Sequence, residues 1–261
     1  MGEVVNAILS ANDPTTCTER LVESLVACII MRGQPVNDLE LLTYKNAGNI
    51  GLLDLLPLSR GRVLDCGCGA GDNARILSAR GWRVTAVTID PREKKAAEEF
   101  CEAVYIADLD YGISPEVGTG FDVILASHVL EHLANPERFL YQARERLNPL
   151  GVLAVALPNI AHYSQRISFS RGRFEYTDSG QLDRTHLRFY TYWTARGLLE
   201  RNGYRLINVK VEGALPWWKS RRLVSAGLLR SIDNRVVPRY PNLLGHQTLL
   251  IARPTSATDD H

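Results

Sequence analysis

Charge of one sign is what this chain most obviously lacks. Thirty Lys and Arg stand against 29 Asp and Glu, so its 261 residues carry a formal net charge of +1. With no global positive field there is no sequence-independent pull toward a phosphate backbone, and a nucleic-acid partner is not expected. Long hydrophobic runs are missing as well. The longest, Leu25 to Met31, falls far short of the ~20 residues that cross a bilayer. The opening MGEVVNAILS has no basic stretch followed by an apolar one, so no secretory signal is expected. Cysteine is scarce: five residues, an odd count at irregular spacing, which argues for reduced thiols in a cytoplasmic setting. Cys66 and Cys68 have no second cysteine pair downstream and are read as packing residues, not metal ligands. There is no internal repeat and no low-complexity tract. An apolar share of 45% and a charged share of 23% exclude wholesale disorder, collagen and coiled coil.

What is present is a rhythm. Between Arg62 and Asn159 strand-like runs alternate with helical ones. The strands read as Arg62–Cys66, Arg83–Asp90, Ala103–Ala107, Phe121–Ser127 and Gly151–Pro158, rich in Val, Ile and Leu without strict polar alternation, as strands covered on both faces are. Helical patterns fall at Gly71–Arg80, Pro91–Cys101 and Asn135–Leu147, the last ending before Asn148-Pro149. This predicts an α/β fold: a parallel sheet with helices on both sides. Upstream, residues 1–57 read as a helical cap or lid, with amphipathic periods beginning at Thr18 and over Gly48–Leu56. The main domain takes residues 58–254. Within it Tyr192–Asn202 is helical, Tyr204–Glu212 and Gln247–Arg253 are strands, and residues 160–190 fit neither period and read as a functional loop. Residues 255–261 read as a frayed tail.

The sharpest local signal is Val63-Leu-Asp-Cys-Gly-Cys-Gly-Ala-Gly-Asp72. A strand enters a turn with Gly67, Gly69 and Gly71 at alternate positions, and a helix follows. Glycines admit positive φ and let a ligand touch backbone, while the helix start offers unpaired N–H groups. The spacing matches neither G-x-G-x-x-G nor a phosphate loop ending in G-K-[S/T]. Asp90 closes the second strand about 20 residues on, where an acid holds ribose hydroxyls. Asp108 follows the third strand. Three carboxylates at successive strand ends converge on one edge of such a sheet.

These residues resemble the class I S-adenosylmethionine (SAM) dependent methyltransferases over about residues 40–254. The resemblance rests on VLDCGCGAG, VTAVTID, FDVILASHVLEHL, GVLAVALPN and GRFEYTDSGQLDRTHLRFYT. The last two are similar to a bacterial small-molecule branch linked to glycosyltransferase, cell-surface and secondary-metabolite pathways. It implies a Rossmann-like seven-stranded sheet ordered 3-2-1-4-5-7-6 with the seventh strand antiparallel, SAM as cofactor and S-adenosylhomocysteine as product. Carried across, Asp65 and Gly67 face the methionine part, with Gly69 and Gly71 beside it. Asp90 holds the ribose hydroxyls, Asp108 and the backbone of Leu109 address the adenine, and Ser127 and His128 border the reactive methyl. Tyr44 and Asn46 close over the cofactor.

The expected chemistry is methyl transfer to a small molecule, at a hydroxyl oxygen that must lose its proton. Histidine suits that base role. His186 is the first candidate, with His162 next and His128 also bordering the site; Arg184 or Arg188 would orient an anionic acceptor. A competing reading makes His128, Glu131, His132 and His186 ligands of a divalent ion. This is similar to the E-x-x-E-H pattern, with a distant His, of metal-dependent RNA terminal 2′-O-methyltransferases, although His128 stands where that pattern has a glutamate. A third reading is a SAM-binding or nucleotide-binding module without turnover. The insert at 213–246 carries Trp217, Trp218, Lys219, Arg221, Arg222, Arg230, Arg235 and Arg239 against one acid, Asp233. It reads as a solvated helix, or else as a platform for an acidic, lipid-linked or nucleotide-linked acceptor.

Overall fold

The structure, a computed structural model, describes residues 47–215 and 225–255. Residues 1–46 therefore lie outside it, and with them the amphipathic period at Thr18, Tyr44 and Asn46. So do Trp217, Trp218, Lys219, Arg221 and Arg222 of the insert, and the tail from 256.

Seven strands form one sheet: β1 (Arg62–Cys66), β2 (Arg83–Thr88), β3 (Ala103–Ile106), β4 (Phe121–Ser127), β5 (Leu147–Pro158), β6 (Tyr204–Gly213) and β7 (Gly245–Pro254). Their order is β3-β2-β1-β4-β5-β7-β6. The pairs from β3 through β5 are parallel, and β7 runs antiparallel to both β5 and β6. The helices are α1 (Ile50–Leu53), α2 (Asp72–Ala79), α3 (Pro91–Ala97), α4 (Pro136–Arg146), α5 (Tyr163–Ser170), α6 (Tyr192–Arg201), α7 (Ala226–Val236) and α8 (Pro241–Leu244).

Residue parity sorts the core into two layers, because alternate side chains of a strand face opposite sides. On one side Leu64, Cys66, Ile124, Ala126, Leu153, Val155 and Leu250 pack against Phe139, Leu140 and Ala143 of α4 and Leu198 and Leu199 of α6. On the other, Val63, Val84, Val123, Leu125, Ala154, Ala156 and Leu249 meet Leu52 and Leu53 of α1 and Ala74 and Leu77 of α2. Cys68 joins Ala86, Ala97 and Val104 in a small satellite, so both turn cysteines are packing residues.

Three elements differ from expectation. The third helix stops at Ala97 because its last turn tightens, with the Phe100 N–H donating to the Ala97 carbonyl. β5 begins at Leu147: Leu147 pairs with Phe121, and the chain then bulges through Asn148-Pro149 before Val152 meets Val123. Within the 160–190 stretch the structure contains α5, a helix with no buried residue, which explains the missing apolar period. The described part of the insert forms α7, a 3-10 turn (Val237–Arg239) and α8. Asn159, 1% exposed, ties β5 to this region: its Nδ2 donates to the carbonyls of Pro241, Asn242 and Gly245. At the opposite end of β7, Thr255 N–H and Oγ1 both donate to the Gly203 carbonyl, and Arg144 Nη2 donates to the Thr255 carbonyl at 2.6 Å.

Candidate functional site

The glycine-rich turn sits at the carboxyl end of β1 and leads directly into α2. Gly67 (φ +68) lies so close to Val129 that a Cβ there would fall 2.7 Å from Val129 Cγ2, and at Gly71 (φ +88) one would fall 3.0 Å from Ala97 Cα. Both positions combine positive φ with close approach, a demand that only glycine meets without strain. Gly69 is also at positive φ. Gly71 is the N-cap of α2 and offers no capping side chain, which leaves donors of the first turn facing the turn.

Asp65 projects from β1 beside this turn and is 1% exposed. Its Oδ2 has no hydrogen-bond partner among the described residues. Burial pushes its carboxyl up from 3.8 to about 7. A buried carboxylate atom left without a partner is costly, and a cationic group placed against it would repay that cost.

Asp90 follows β2 and caps α3, its Oδ1 accepting from Arg92 N–H at 2.8 Å. The Arg92 guanidinium closes on the same carboxylate, with Nε 3.1 Å from each oxygen and Nη2 2.5 Å from Oδ2. The hydrogen bonds and charge of Arg92 hold Asp90 below the usual carboxylate range. Asp108 follows β3 and accepts from Asp110 N–H at 2.9 Å. Leu109 buries its side chain in the core, while its backbone N–H finds no acceptor among the described residues.

After β4 the chain turns at His128, whose φ of 57 makes it the single non-glycine residue at positive φ among those described. Its N–H donates to the Ala156 carbonyl, Nδ1 lies 3.1 Å from Glu131 Oε1, and Nε2 lies 2.9 Å from Gln247 Oε1. Gln247 Nε2 donates to Glu212 Oε2 at 2.8 Å, which turns the Gln247 carbonyl toward His128. Both ring nitrogens thus face acceptors. Burial lowers the His128 pKa, but the Glu131 hydrogen bond and charge outweigh it and the net shift is upward.

Glu131 is fully buried, and its Oε2 has no partner among the described residues. Its carbonyl accepts from Leu187 and Arg188 N–H, pinning the 185–188 segment to the turn after β4. That brings His186 to His132, with ring centroids 4.7 Å apart. One donor atom from each of Glu131, His132 and His186 falls within 4.8 Å of the others. His132 Nδ1 lies 3.0 Å from Thr185 Oγ1, whose own proton goes to Asp183 at 2.7 Å. His186 Nδ1 lies 3.3 Å from the Gln181 carbonyl. Each Nδ1 thus faces an oxygen acceptor, which suits a proton on that nitrogen and leaves Nε2 for another partner. Burial is the main cause of the lowered His186 pKa.

Residues 42–209 match the family described as "Methyltransferase domain". The chain belongs to that family. Its fold is that of the class I SAM-dependent methyltransferases. A ubiquinone biosynthesis O-methyltransferase from Azorhizobium caulinodans is 36% identical over 109 residues, 40% of this chain and 43% of that protein. A trans-aconitate 2-methyltransferase from Deinococcus radiodurans is 30% identical over 129 residues, 48% of this chain and 50% of that protein. The chain thus spans about half the length, or less, of these curated relatives. A SAM-dependent methyltransferase structure from Archaeoglobus fulgidus superposes with a TM-score of 0.55 at 21% identity, covering 78% of this chain and 90% of that one.

The chain places its other sequence candidates in local contacts of their own. His162 caps α5, with Nδ1 2.8 Å from Ser164 Oγ, and its ring leans on Tyr163. Arg184 pairs with Asp178 at 2.6 Å and Arg188 donates to the Ala134 carbonyl. Sequence reasoning missed Asn49 and Gln247. Asn49 carried one legible signal, an N-cap residue type ahead of an apolar pair; Gln247 carried none.

Proposed function

We propose that the chain transfers the methyl group of SAM to a hydroxyl oxygen of a small-molecule acceptor at the edge formed by β1, β2, β3 and β4. The observation that carries this reading is Asp65: a buried carboxylate with an oxygen unpartnered among the described residues, beside a glycine-rich turn, fits the ammonium of an amino-acid moiety. Asp90 would accept from the ribose hydroxyls, since a carboxylate only accepts. Asp108 and the free Leu109 N–H would meet the adenine, and Gly67, Gly69, Gly71 and Ser127 would wall the methionine end. Bound there, the cofactor supplies a methyl group activated by its sulfonium.

The protein's own contribution is alignment and proton removal. Holding the acceptor oxygen in line with the methyl group replaces an entropic cost by binding. His186, with Nδ1 committed to Gln181, presents a lone pair suited to taking the hydroxyl proton. His128, facing acceptors from both nitrogens, suits orientation of the turn, and His162 stands by as the second base candidate. The two relatives act on small molecules by name, which supports that acceptor class. The free thiols of Cys66, Cys68 and Cys101 support a reducing compartment, in keeping with a cytoplasmic setting. No helix among the described residues is long and apolar enough to cross a membrane.

One observation favours a second reading, in which a divalent ion assists. Among the described residues Glu131 Oε2 and the Nε2 atoms of His132 and His186 are unengaged, while each histidine's Nδ1 is anchored, the arrangement that supports metal-bound imidazoles. A nitrogen-rich set of this kind suits a transition ion better than magnesium.

Calorimetry with S-adenosylhomocysteine is the direct test: binding is expected, and no heat at millimolar ligand rejects the reading. Methyl-labelled SAM incubated with hydroxylated metabolites should give alkali-stable label, whereas label on RNA ends would point to the other acceptor. Metal analysis and turnover after chelation separate the two mechanisms.

A further inference from the structure

Asn49 holds three elements together at the site edge. Its Oδ1 accepts from Leu52 N–H at 3.2 Å, capping α1. Since that oxygen is fixed as an acceptor, the other end of the amide is Nδ2, and it donates to Ser127 Oγ at 3.2 Å and to Gln247 Oε1 at 3.3 Å. The Asn49 backbone N–H donates to Asn73 Oδ1 of α2 at 2.8 Å. Every polar group of the Asn49 side chain is engaged, so its orientation is unambiguous.

The consequence falls on Ser127. Its hydroxyl oxygen accepts from an amide that can only donate, so its proton must point elsewhere. Among the described residues that proton has no acceptor. Ser127 also shares a face with Asp65: Asp65 is in register with Leu125 on the parallel strand β4, and Ser127 lies two residues further on. Strand spacing and rise place the two Cα positions roughly 8 Å apart. One residue offers an unpartnered buried carboxylate oxygen, the other an uncommitted hydroxyl proton. A cation and an acceptor-only anion a few ångströms apart match that pair, which is the chemistry of an α-amino acid.

We propose that Asn49 is a positioning residue for the amino-acid end of the cofactor: by donating to Ser127 Oγ it reserves the Ser127 hydroxyl proton for the cofactor carboxylate. This rests on the reading that SAM occupies this edge. Asn49 makes no contact with the reacting atoms; it acts through Ser127.

The test compares two probes by calorimetry: S-adenosylhomocysteine, and 5′-methylthioadenosine, which lacks the amino-acid portion. Ser127→Ala should weaken the first by about tenfold or more, the scale of a hydrogen bond to a charged group, and leave the second within about twofold. Asn49→Asp keeps the cap on Leu52, but its carboxylate takes the Ser127 proton, so the same selective loss is expected. Asn49→Leu frees the hydroxyl without capturing it and should lose less than Asn49→Asp. In the Ser127→Ala background, Asn49→Asp should cost little more, because the two act as one unit. Equal loss of both probes, unchanged affinity in Ser127→Ala, or full additivity of the two substitutions overturns the proposal. If the parent protein binds methylthioadenosine but not S-adenosylhomocysteine, the proposal falls and the adenosine site stands. If it binds neither, the SAM reading itself falls.

Discussion

Burial of Asp65 couples the stability of the fold to pH. The carboxyl titrates at about 7 in the folded chain against an ordinary 3.8, because burial at 1% exposure disfavours its charge. The folded state thus holds the proton over a pH range in which the unfolded state has released it. Stability from this group is full below pH 3.8, falls as pH rises, and levels off above pH 7. At about 1.4 kcal/mol for each tenfold change in proton affinity, the total loss is about 4 kcal/mol. Asp65→Asn keeps the shape and removes the titration. Urea unfolding of both proteins at pH 5 and pH 8 should therefore show the variant gaining about 2–3 kcal/mol on the parent between those values. In the proposed complex the cofactor ammonium would favour the ionised carboxylate and so invert the preference. Below pH 7 the parent should release protons on binding S-adenosylhomocysteine, visible as a calorimetric heat that changes with the ionisation enthalpy of the buffer. The variant should bind weakly and without that dependence. Parallel stability curves for the two proteins would refute the reasoning.

Three more outcomes are expected. Gly67→Ala meets both a positive φ and Val129 Cγ2; it should cost about 1–2 kcal/mol and weaken cofactor binding, and adding Val129→Ala should recover only part, as thermal melting will show. Asp90→Ala should cut S-adenosylhomocysteine affinity at least tenfold, whereas Arg92→Gln frees the carboxylate from an exposed pair and should raise affinity about twofold to fivefold at low salt; a weaker-binding Arg92→Gln would end that competition argument. His128→Gly should be more stable than His128→Ala by about 1 kcal/mol, because the backbone sits at φ 57; denaturant titration decides it.

The parallel half of the fold was legible because buried strands write themselves as unbroken Val/Ile/Leu runs: β1 and β4 appear at the bounds read from sequence. α5 was not, because a helix that buries nothing has no apolar period. The start of β5 was hidden by Asn148-Pro149, which read as a breaker and proved to be a bulge within the pairing. At the site, the glycines and acids were visible because they lie at or just past the ends of legible strands. The hydrogen-bonded links were not, since Asn49 reaches Ser127 and Gln247 across 78 and 198 positions. Nor could spacing foretell that Arg92, two residues after Asp90, would pair with that carboxylate.

The reversed direction of β7 carries a practical corollary. Thr255, clasped by Gly203 and Arg144, leaves the sheet at the margin remote from the glycine turn. An affinity handle or immobilising linker attached beyond it would therefore hold the molecule by its back, with the glycine-turn edge turned toward bulk solution for every assay above.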